Sequence, residues 1–333
     1  MNRRHLLALT LLFAGTLLAG CNGGQEKKQE DSGAPSKQTA TPEKPSKEKP
    51  KIALIMKSLA NEFFQNMQKG AEAHHAKNPD SYELLANGIK DEQDIARQQQ
   101  LVEQMIGQQV QAIVIAPADS KALIPVCKKA LEAGIVVINI DNKFDAEVLK
   151  DQKASIPFVG PDNRKGAKLV GEALAKTLKA GDEVAILEGI PTAFNAQQRK
   201  NGFEDAMKAA NMKVVASQSA NWETDQANRV ASALLTANPN LKALLCANDS
   251  MALGAVAAVK AANKLGQVKI VGFDNITAIQ QLMKEGTVLF TADQHADQLA
   301  VYGIEYALHA LSNKVGISDK ETPVDLISKE NLK

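Results

Sequence analysis

Excess charge of either sign is missing from this 333-residue chain: 39 Lys and Arg stand against 38 Asp and Glu, a net charge of +1. Nucleic-acid binding usually shows as a basic excess, so no nucleic-acid partner is expected. Aromatic residues are scarce, at 4% with a single Trp, so an aromatic beside a polar cluster carries information. Three Cys are too few for a disulfide-stapled scaffold. Cys127 lies in a helix-like stretch and Cys246 ends a strand-like one. A bond between them is possible after export, but two buried thiols acting as small hydrophobes is the simpler reading. No apolar run reaches the roughly 20 residues that a membrane-spanning helix needs. Catalytic signatures are also lacking. There is no G-x-G-x-x-G after a strand, no G-x-x-x-x-G-K-[ST], no H-E-x-x-H and no G-x-S-x-G, which removes the dinucleotide, P-loop, zincin and α/β-hydrolase readings. The adjacent His74 and His75 point to different faces of a helix and read as surface residues. No metal or other cofactor is expected.

What is present begins with an export pattern. Arg3, Arg4 and His5 precede an apolar run from Leu6 to Leu18, the length of a signal-peptide core. It ends in Leu18-Ala19-Gly20-Cys21, which resembles the bacterial lipobox, in which the Cys thiol is acylated and becomes the mature N-terminus. Residues 1–20 are thus expected to be a lipoprotein signal peptide. Residues 22–50 hold only Ala34 and Ala40 as apolar residues, together with Pro35, Pro42, Pro45 and Pro50. Such a segment cannot bury enough surface to offset its ordering entropy and reads as a tether running from Cys21 to Pro50. The Lys/Glu alternation from Glu43 to Lys51 belongs to it as a solvated linker.

From Lys51 the text alternates between two periods. Short apolar runs read as strands: Ile52–Met56, Tyr82–Leu85, Ala112–Ile115, Ile135–Ile140, Val184–Leu187, Val214–Ala216, Ala243–Cys246 and Lys269–Phe273. Between them, helical spacing covers Asn61–Lys77, Asp91–Ile106, Lys121–Ala133, Lys165–Leu178, Gln198–Ala210, Asp225–Leu235 and Met251–Ala262. The strands are unbroken apolar runs, as expected when helices cover both faces of a parallel sheet. Two successive βα series predict an α/β protein of two doubly wound, Rossmann-like lobes.

Ligands of open α/β sheets bind beyond the carboxyl ends of the strands. The residues found there are Asn61, Phe63 and Phe64 after the first strand, Asp141 after Ile140, and Trp222 shortly after Ala216. Asn248 and Asp249 follow Cys246, and Asp274 follows Phe273. Carboxylates and amides accept from and donate to hydroxyls, and aromatic faces cover the C–H side of a sugar ring, so the set suits a neutral polyhydroxylated ligand. Each Asp or Asn could instead cap the next helix, and Asp249, leading into Ser250-Met251, is read mainly as a cap.

From Lys51 onward the chain resembles the type I periplasmic sugar-binding proteins, specifically the D-ribose and D-allose binders of ABC importers. The resemblance is carried by Lys57-Ser-Leu-Ala-Asn-Glu-Phe-Phe64, Asn139-Ile-Asp141, Arg199-Lys-Asn-Gly-Phe203, Val215-Ala-Ser-Gln218, Cys246-Ala-Asn-Asp-Ser-Met-Ala-Leu-Gly254 and Val271-Gly-Phe-Asp274. It implies sugar contacts at Asn61, Asp141, Arg199, Asn248, Asp274 and Gln294. Phe63 or Phe64 would stack from one lobe and Trp222 from the other, with Lys57 and Asn142 as further ligand-binding positions. Asn142 departs from both binders, which carry Arg or Glu after the Asp. The resemblance also implies a three-segment hinge, with an N-terminal lobe of 51–161 plus 294–320 and a C-terminal lobe of 162–293 plus 321–333.

The expected function is a substrate-binding lipoprotein that captures a monosaccharide between closing lobes and serves an ABC permease and ATPase. It would be a monomer held to the membrane by its lipid anchor and facing the periplasm or cell exterior. Alternatives are a sensor that presents its ligand to a chemotaxis or signalling receptor, and a binder of a polyol. An enzyme is not expected, although Asp141 and Asp274 could imitate the paired carboxylates of a glycosidase. The lipobox is tested directly: the chain should partition into detergent and take up labelled acyl chains, and Cys21→Ser should leave an unacylated, unprocessed precursor. Normal labelling of Cys21→Ser would contradict the assignment.

Overall fold

The computed structural model describes residues 49–313 and 318–332; Cys21 and residues 1–48 as a whole lie outside the described residues. The first series runs β1 (Lys51–Ser58), α1 (Glu62–Lys77), β2 (Glu83–Ile89), α2 (Ile95–Gly107), β3 (Ala112–Ile115), α3 (Ile124–Glu132), β4 (Val136–Ile140), α4 (Ala146–Asp151) and β5 (Phe158–Pro161). The second runs α5 (Asn163–Ala175), β6 (Glu183–Glu188), α6 (Phe194–Ala209), β7 (Lys213–Ser219), α7 (Thr224–Ala237), β8 (Leu241–Cys246), α8 (Asp249–Ala261), β9 (Lys269–Val271), α9 (Thr277–Lys284) and β10 (Phe290–Asp293). Then come α10 (Ala296–Asn313), β11 (Lys320–Thr322) and β12 (Asp325–Ser328).

Two six-stranded sheets result, ordered β11-β5-β4-β3-β1-β2 and β12-β10-β9-β8-β6-β7. The order is the same in both, and every pairing is parallel except that of β12 with β10. The two-doubly-wound-lobe reading of the sequence is the observed architecture. Alternate residues explain the unbroken apolar strands. Ile52, Leu54 and Met56 of β1 join a core with Phe64 and Met67 of α1 and Leu299 of α10. Ala53 and Ile55 face the other way, into a core with Leu101 of α2 and Cys127 of α3.

The chain passes between sheets three times. The first passage follows β5 at Pro161, the second separates β10 from α10, which packs on α1, β3 and β4, and the third lies between β11 and β12. Because β11 pairs with β5 through Thr322, the third passage falls two residues later than the 320/321 boundary expected from the resemblance. No helix among the described residues is long and apolar enough to cross a membrane.

Other details differ from the sequence reading. β2 extends to Ile89, four residues beyond Leu85, and α6 starts at Phe194 rather than Gln198. His74 and His75 are half-buried and both reach Tyr82, through its hydroxyl at 2.8 Å and its carbonyl at 3.1 Å. Cys127 and Cys246 are free and buried, and burial pushes both thiols up, Cys127 to about 12.

In the second sheet's helical layer, backbones touch. A Cβ on Gly202 of α6 would stand 2.3 Å from the carbonyl oxygen of Arg164 in α5. The close approach sets where α6 lies, and with it Arg199. Gly202→Val should therefore lower stability by about 1–3 kcal/mol, the usual range for overpacking, measured by urea unfolding. An unchanged midpoint would mean that α5 and α6 can part without cost.

Candidate functional site

Parallel strands place their carboxyl ends on one edge of each sheet, and the two edges face a common cavity. Gln294 lies between β10 and α10, and from the first sheet come Lys57 on β1, Asn61, Phe63 and Phe64 after β1, Glu92 after β2 and Asp141 after β4. From the second come Asn195 and Arg199 on α6, Trp222 after β7, Asn248 after β8 and Asp274 after β9. Three of these residues have backbones in the left-handed region: Asp141 at φ 62°, Trp222 at φ 69° and Asp274 at φ 124°. Such conformations are costly without glycine and persist where surrounding structure enforces them. Trp222 also needs room, and Gly189 supplies it: a Cβ there would lie 2.1 Å from the indole.

Each sheet buries one ion pair at this edge. Lys57 Nζ stands 2.9 Å from Asp141 Oδ2, both residues at most 3% exposed. The contact is an ion pair without hydrogen-bond geometry, so Oδ2 is left without a hydrogen-bond donor. Opposite, Arg199 Nη1 lies 3.3 Å from Asp274 Oδ1 and donates to the Ala247 carbonyl at 2.9 Å, while its Nε donates to Asn163 Oδ1 at 2.8 Å. Gln294 Nε2 donates to the same Asp274 oxygen at 2.7 Å, linking the two sides of the cavity. Cationic groups lie against the rings. Lys57 Nζ is 5.5 Å from the Phe64 centroid and 5.9 Å from that of Trp222, and the Arg199 guanidinium carbon is 3.7 Å from that of Phe273. Phe63 meets Phe64 edge-on at 5.0 Å.

Capping and lining turn out to be compatible. Asn61 caps α1, accepting from Phe63 N at 3.0 Å, and its Nδ2 donates to Glu92 Oε1 at 3.2 Å. Asn248 caps α8, accepting from Met251 N at 2.9 Å. Asp249 is therefore not the cap. It is fully buried behind Asp274 and accepts from Thr291 Oγ1 at 2.9 Å and Ile276 N at 3.0 Å. Asn142 is the one candidate that does not line the cavity. Its Nδ2 donates to the Pro117 carbonyl at 2.9 Å, and its Oδ1 accepts from Ser120 Oγ and Asn195 N. Its amide is spent on backbone and neighbours, which corrects the expectation of a ligand contact there.

Glu92 and Asn195 were not anticipated. Glu92 lies three residues beyond the true end of β2, so the strand-end rule would have reached it had the strand been read to Ile89. Asn195 sits past a five-residue loop and leaves no such signal.

Among the described residues, seven buried side-chain polar atoms have no hydrogen-bond partner, and five belong to the cavity: Glu92 Oε2, Asp141 Oδ2, Asn195 Oδ1, Gln294 Oε1 and Trp222 Nε1. Buried polar groups are normally paired, so this cluster gives the cavity four acceptors and a donor. Burial raises the carboxyl of Asp274 against the pull of Arg199 and Gln294. Asp249 rises to about 8, through burial first and then the charge of Asp274. Aromatic walls, fixed charges and spare acceptors together fit a small molecule that carries both C–H faces and hydroxyls.

Residues 52–314 match the periplasmic binding protein domain. The chain belongs to the periplasmic binding protein family. This periplasmic binding protein is 61% identical over 285 residues to a D-ribose/D-allose-binding protein of Pseudomonas aeruginosa, covering 84% of this chain and 89% of the relative. It is 34% identical over 279 residues to the D-allose-binding periplasmic protein of Escherichia coli, covering 83% and 89%. The crystal structure of a periplasmic solute-binding protein of Actinobacillus succinogenes with bound D-allose superposes with a TM-score of 0.81 at 39% identity, covering 85% of this chain and 98% of that one.

Glu92 gives the site a pH signature. Burial raises its carboxyl from 4.5 to about 7, against the opposing effects of Lys57 and Asn61. A carboxyl that holds its proton more tightly when folded contributes stability that is complete below its unfolded pKa. That contribution is lost as pH rises through the folded one. Glu92→Gln cannot titrate, so between about pH 5 and about pH 8 its unfolding temperature should fall less steeply than that of the sugar-free wild type. Equal slopes would show that Glu92 does not change protonation on folding.

Proposed function

We propose that this periplasmic binding protein is the sugar receptor of an ABC importer and that it takes a ribose- or allose-class monosaccharide into the cavity between its two sheets. The observation that carries this reading is the opposed placement of two buried ion pairs around a cavity walled by Phe64 and Trp222. In this reading Asp141 and Asp274 accept from hydroxyls, Arg199, Lys57, Asn61, Asn248 and Gln294 supply the remaining polar contacts, and Phe63, Phe64 and Trp222 cover the ring's apolar faces. The relatives, named for ribose and allose or solved with D-allose, support the class of ligand. The bound sugar leaves chemically unchanged: the carboxylates serve as acceptors, and no bond is made or broken.

The segments carrying the two sheets act as the lobes, 51–161 with 294–322 and 162–293 with the C-terminal strand, and the three passages between them are the hinge. A ligand that binds Asp141 and Asp274 at once favours the closed form by its differential affinity for it. Acylation at Cys21 would tether the receptor, as a monomer, to a membrane of the cell envelope. Residues 22–50 would then give it the reach to meet a permease that is driven by its ATPase.

Calorimetric titration with D-ribose and D-allose, run beside small-angle scattering, tests the core of the proposal. Wild type should bind at least one sugar and become more compact. Asp274→Ala should lose at least about tenfold in affinity, since hydrogen bonds to charged groups contribute roughly 1.5–3 kcal/mol each. Trp222→Ala should lose about 1–3 kcal/mol through lost aromatic burial. Wild-type affinity in Asp274→Ala would remove the second lobe from the site, and turnover of an aryl glycoside would replace the receptor reading with an enzymatic one.

A further inference from the structure

Helices leave their first N–H groups without intrahelical partners, and a preceding Ser, Thr, Asp or Asn usually satisfies them. Five helices of this protein follow that rule, with Asn61, Asp94, Asp145, Asp162 and Asn248 capping α1, α2, α4, α5 and α8. Among the described helices, α3, α6, α7 and α9 have no such cap. Of these, α6 and α9 are preceded by Ala193 and Ile276, which have no side-chain acceptor to offer.

Their caps come from the other lobe. Phe194 N donates to Ser120 Oγ at 2.9 Å and Asn195 N to Asn142 Oδ1 at 3.2 Å. Thr277 N donates to Glu62 Oε1 at 2.8 Å and Ala278 N to Glu62 Oε2 at 3.5 Å. The acceptors suit the task differently. Ser120 is buried at 3% exposure and Asn142 at 0%, so their bonds are made away from water. Glu62 is half-buried and adds a negative charge at the positive end of the α9 dipole. None of the three lines the cavity.

We infer that Glu62, Ser120 and Asn142 form a cross-lobe latch, positioning residues that set the affinity of this receptor by capping α6 and α9 only when the lobes are closed. The inference rests on the sugar-receptor reading for its effect on affinity, while its effect on closure stands apart from any ligand. When the lobes part, the four N–H groups and their acceptors return to water, so the latch weights the closed form by the modest net value of a helix cap. Apparent affinity scales with the population of the binding-competent form. Every sugar that needs the closed form therefore gains the same factor, and the choice among sugars is left to the cavity.

That common factor separates a latch from a ligand contact. Single-molecule energy transfer between labels at Lys150→Cys and Lys208→Cys, one on each lobe, reports the closed fraction of the sugar-free protein. Calorimetry reports affinity for D-ribose and D-allose. Glu62→Ala and Ser120→Ala should each lower the closed fraction by about fivefold, as expected for the loss of a typical cap. Each should weaken every sugar that the wild type binds by that same factor, leaving the ratio between two such sugars unchanged. Glu62→Gln, which keeps an acceptor and loses the charge, should fall between wild type and Glu62→Ala.

An unchanged closed fraction, or unequal weakening of two sugars, would overturn the latch. If wild type binds neither sugar, the receptor reading fails, and the closed fraction alone still decides whether the latch exists.

Discussion

Two ion pairs taken out of water, Lys57 with Asp141 and Arg199 with Asp274, are the constraint on which the centre of this protein depends. Ionised groups can be buried only when partners and hydrogen bonds replace their hydration, and removing one member of such a pair costs about 3–5 kcal/mol. The fold meets that demand from both sides of one cavity. In the first lobe a strand residue and a strand-end residue face each other, and Phe64 lies beside the ammonium. In the second, Arg199 spends its guanidinium on an amide, a backbone carbonyl and a carboxylate, with Phe273 against its plane. The left-handed backbones of Asp141 and Asp274 aim the two carboxylates, and the parallel sheets place both at a carboxyl edge. A scaffold of this kind is preorganised: the charges are fixed before a ligand arrives, so little ordering is left to offset on binding.

A second layer of polar burial stands behind the first in the C-terminal lobe. Asp249 lies against the Asp274 side of the cavity and ties the start of α9 to Thr291 of β10 through its two oxygens. Gln294 carries the network across, because it belongs to the second passage between sheets and donates to Asp274. The second passage and the charge of the site are thereby linked through a single amide.

Much of this was legible in the residues. Unbroken apolar runs such as Ala112–Ile115 and Ala243–Cys246 read as strands covered on both faces, and reading the residue after each strand reached Asn61, Asp141, Trp222, Asn248 and Asp274. Arg199, Gln294 and Lys57 required the resemblance, because one lies within a helix, one at a passage between sheets and one inside a strand, where pattern alone assigns no role. Glu92 was lost to the more polar second half of β2, whose Asn87 and Gly88 obscure the strand's end. The Asn142 expectation followed from the resemblance, but the Asn142 amide is spent on Pro117, Ser120 and Asn195. Asp249 looked like a cap because Ser250 and Met251 begin a helix, yet Asn248, one residue earlier, already held that place. The caps that reach α6 and α9 from the other lobe could not be read at all, since their partners are 53 to 216 residues away along the chain.

The central claim is that one sugar is held by both ion-paired carboxylates between Phe64 and Trp222. A crystal structure of the protein grown with whichever of D-ribose or D-allose it binds tests that claim most directly. The account predicts a single sugar in the cavity, with hydroxyls within hydrogen-bond distance of both Asp141 and Asp274 and its ring between the two aromatic side chains. A sugar bound to one lobe alone, or seated outside the cavity, would contradict it.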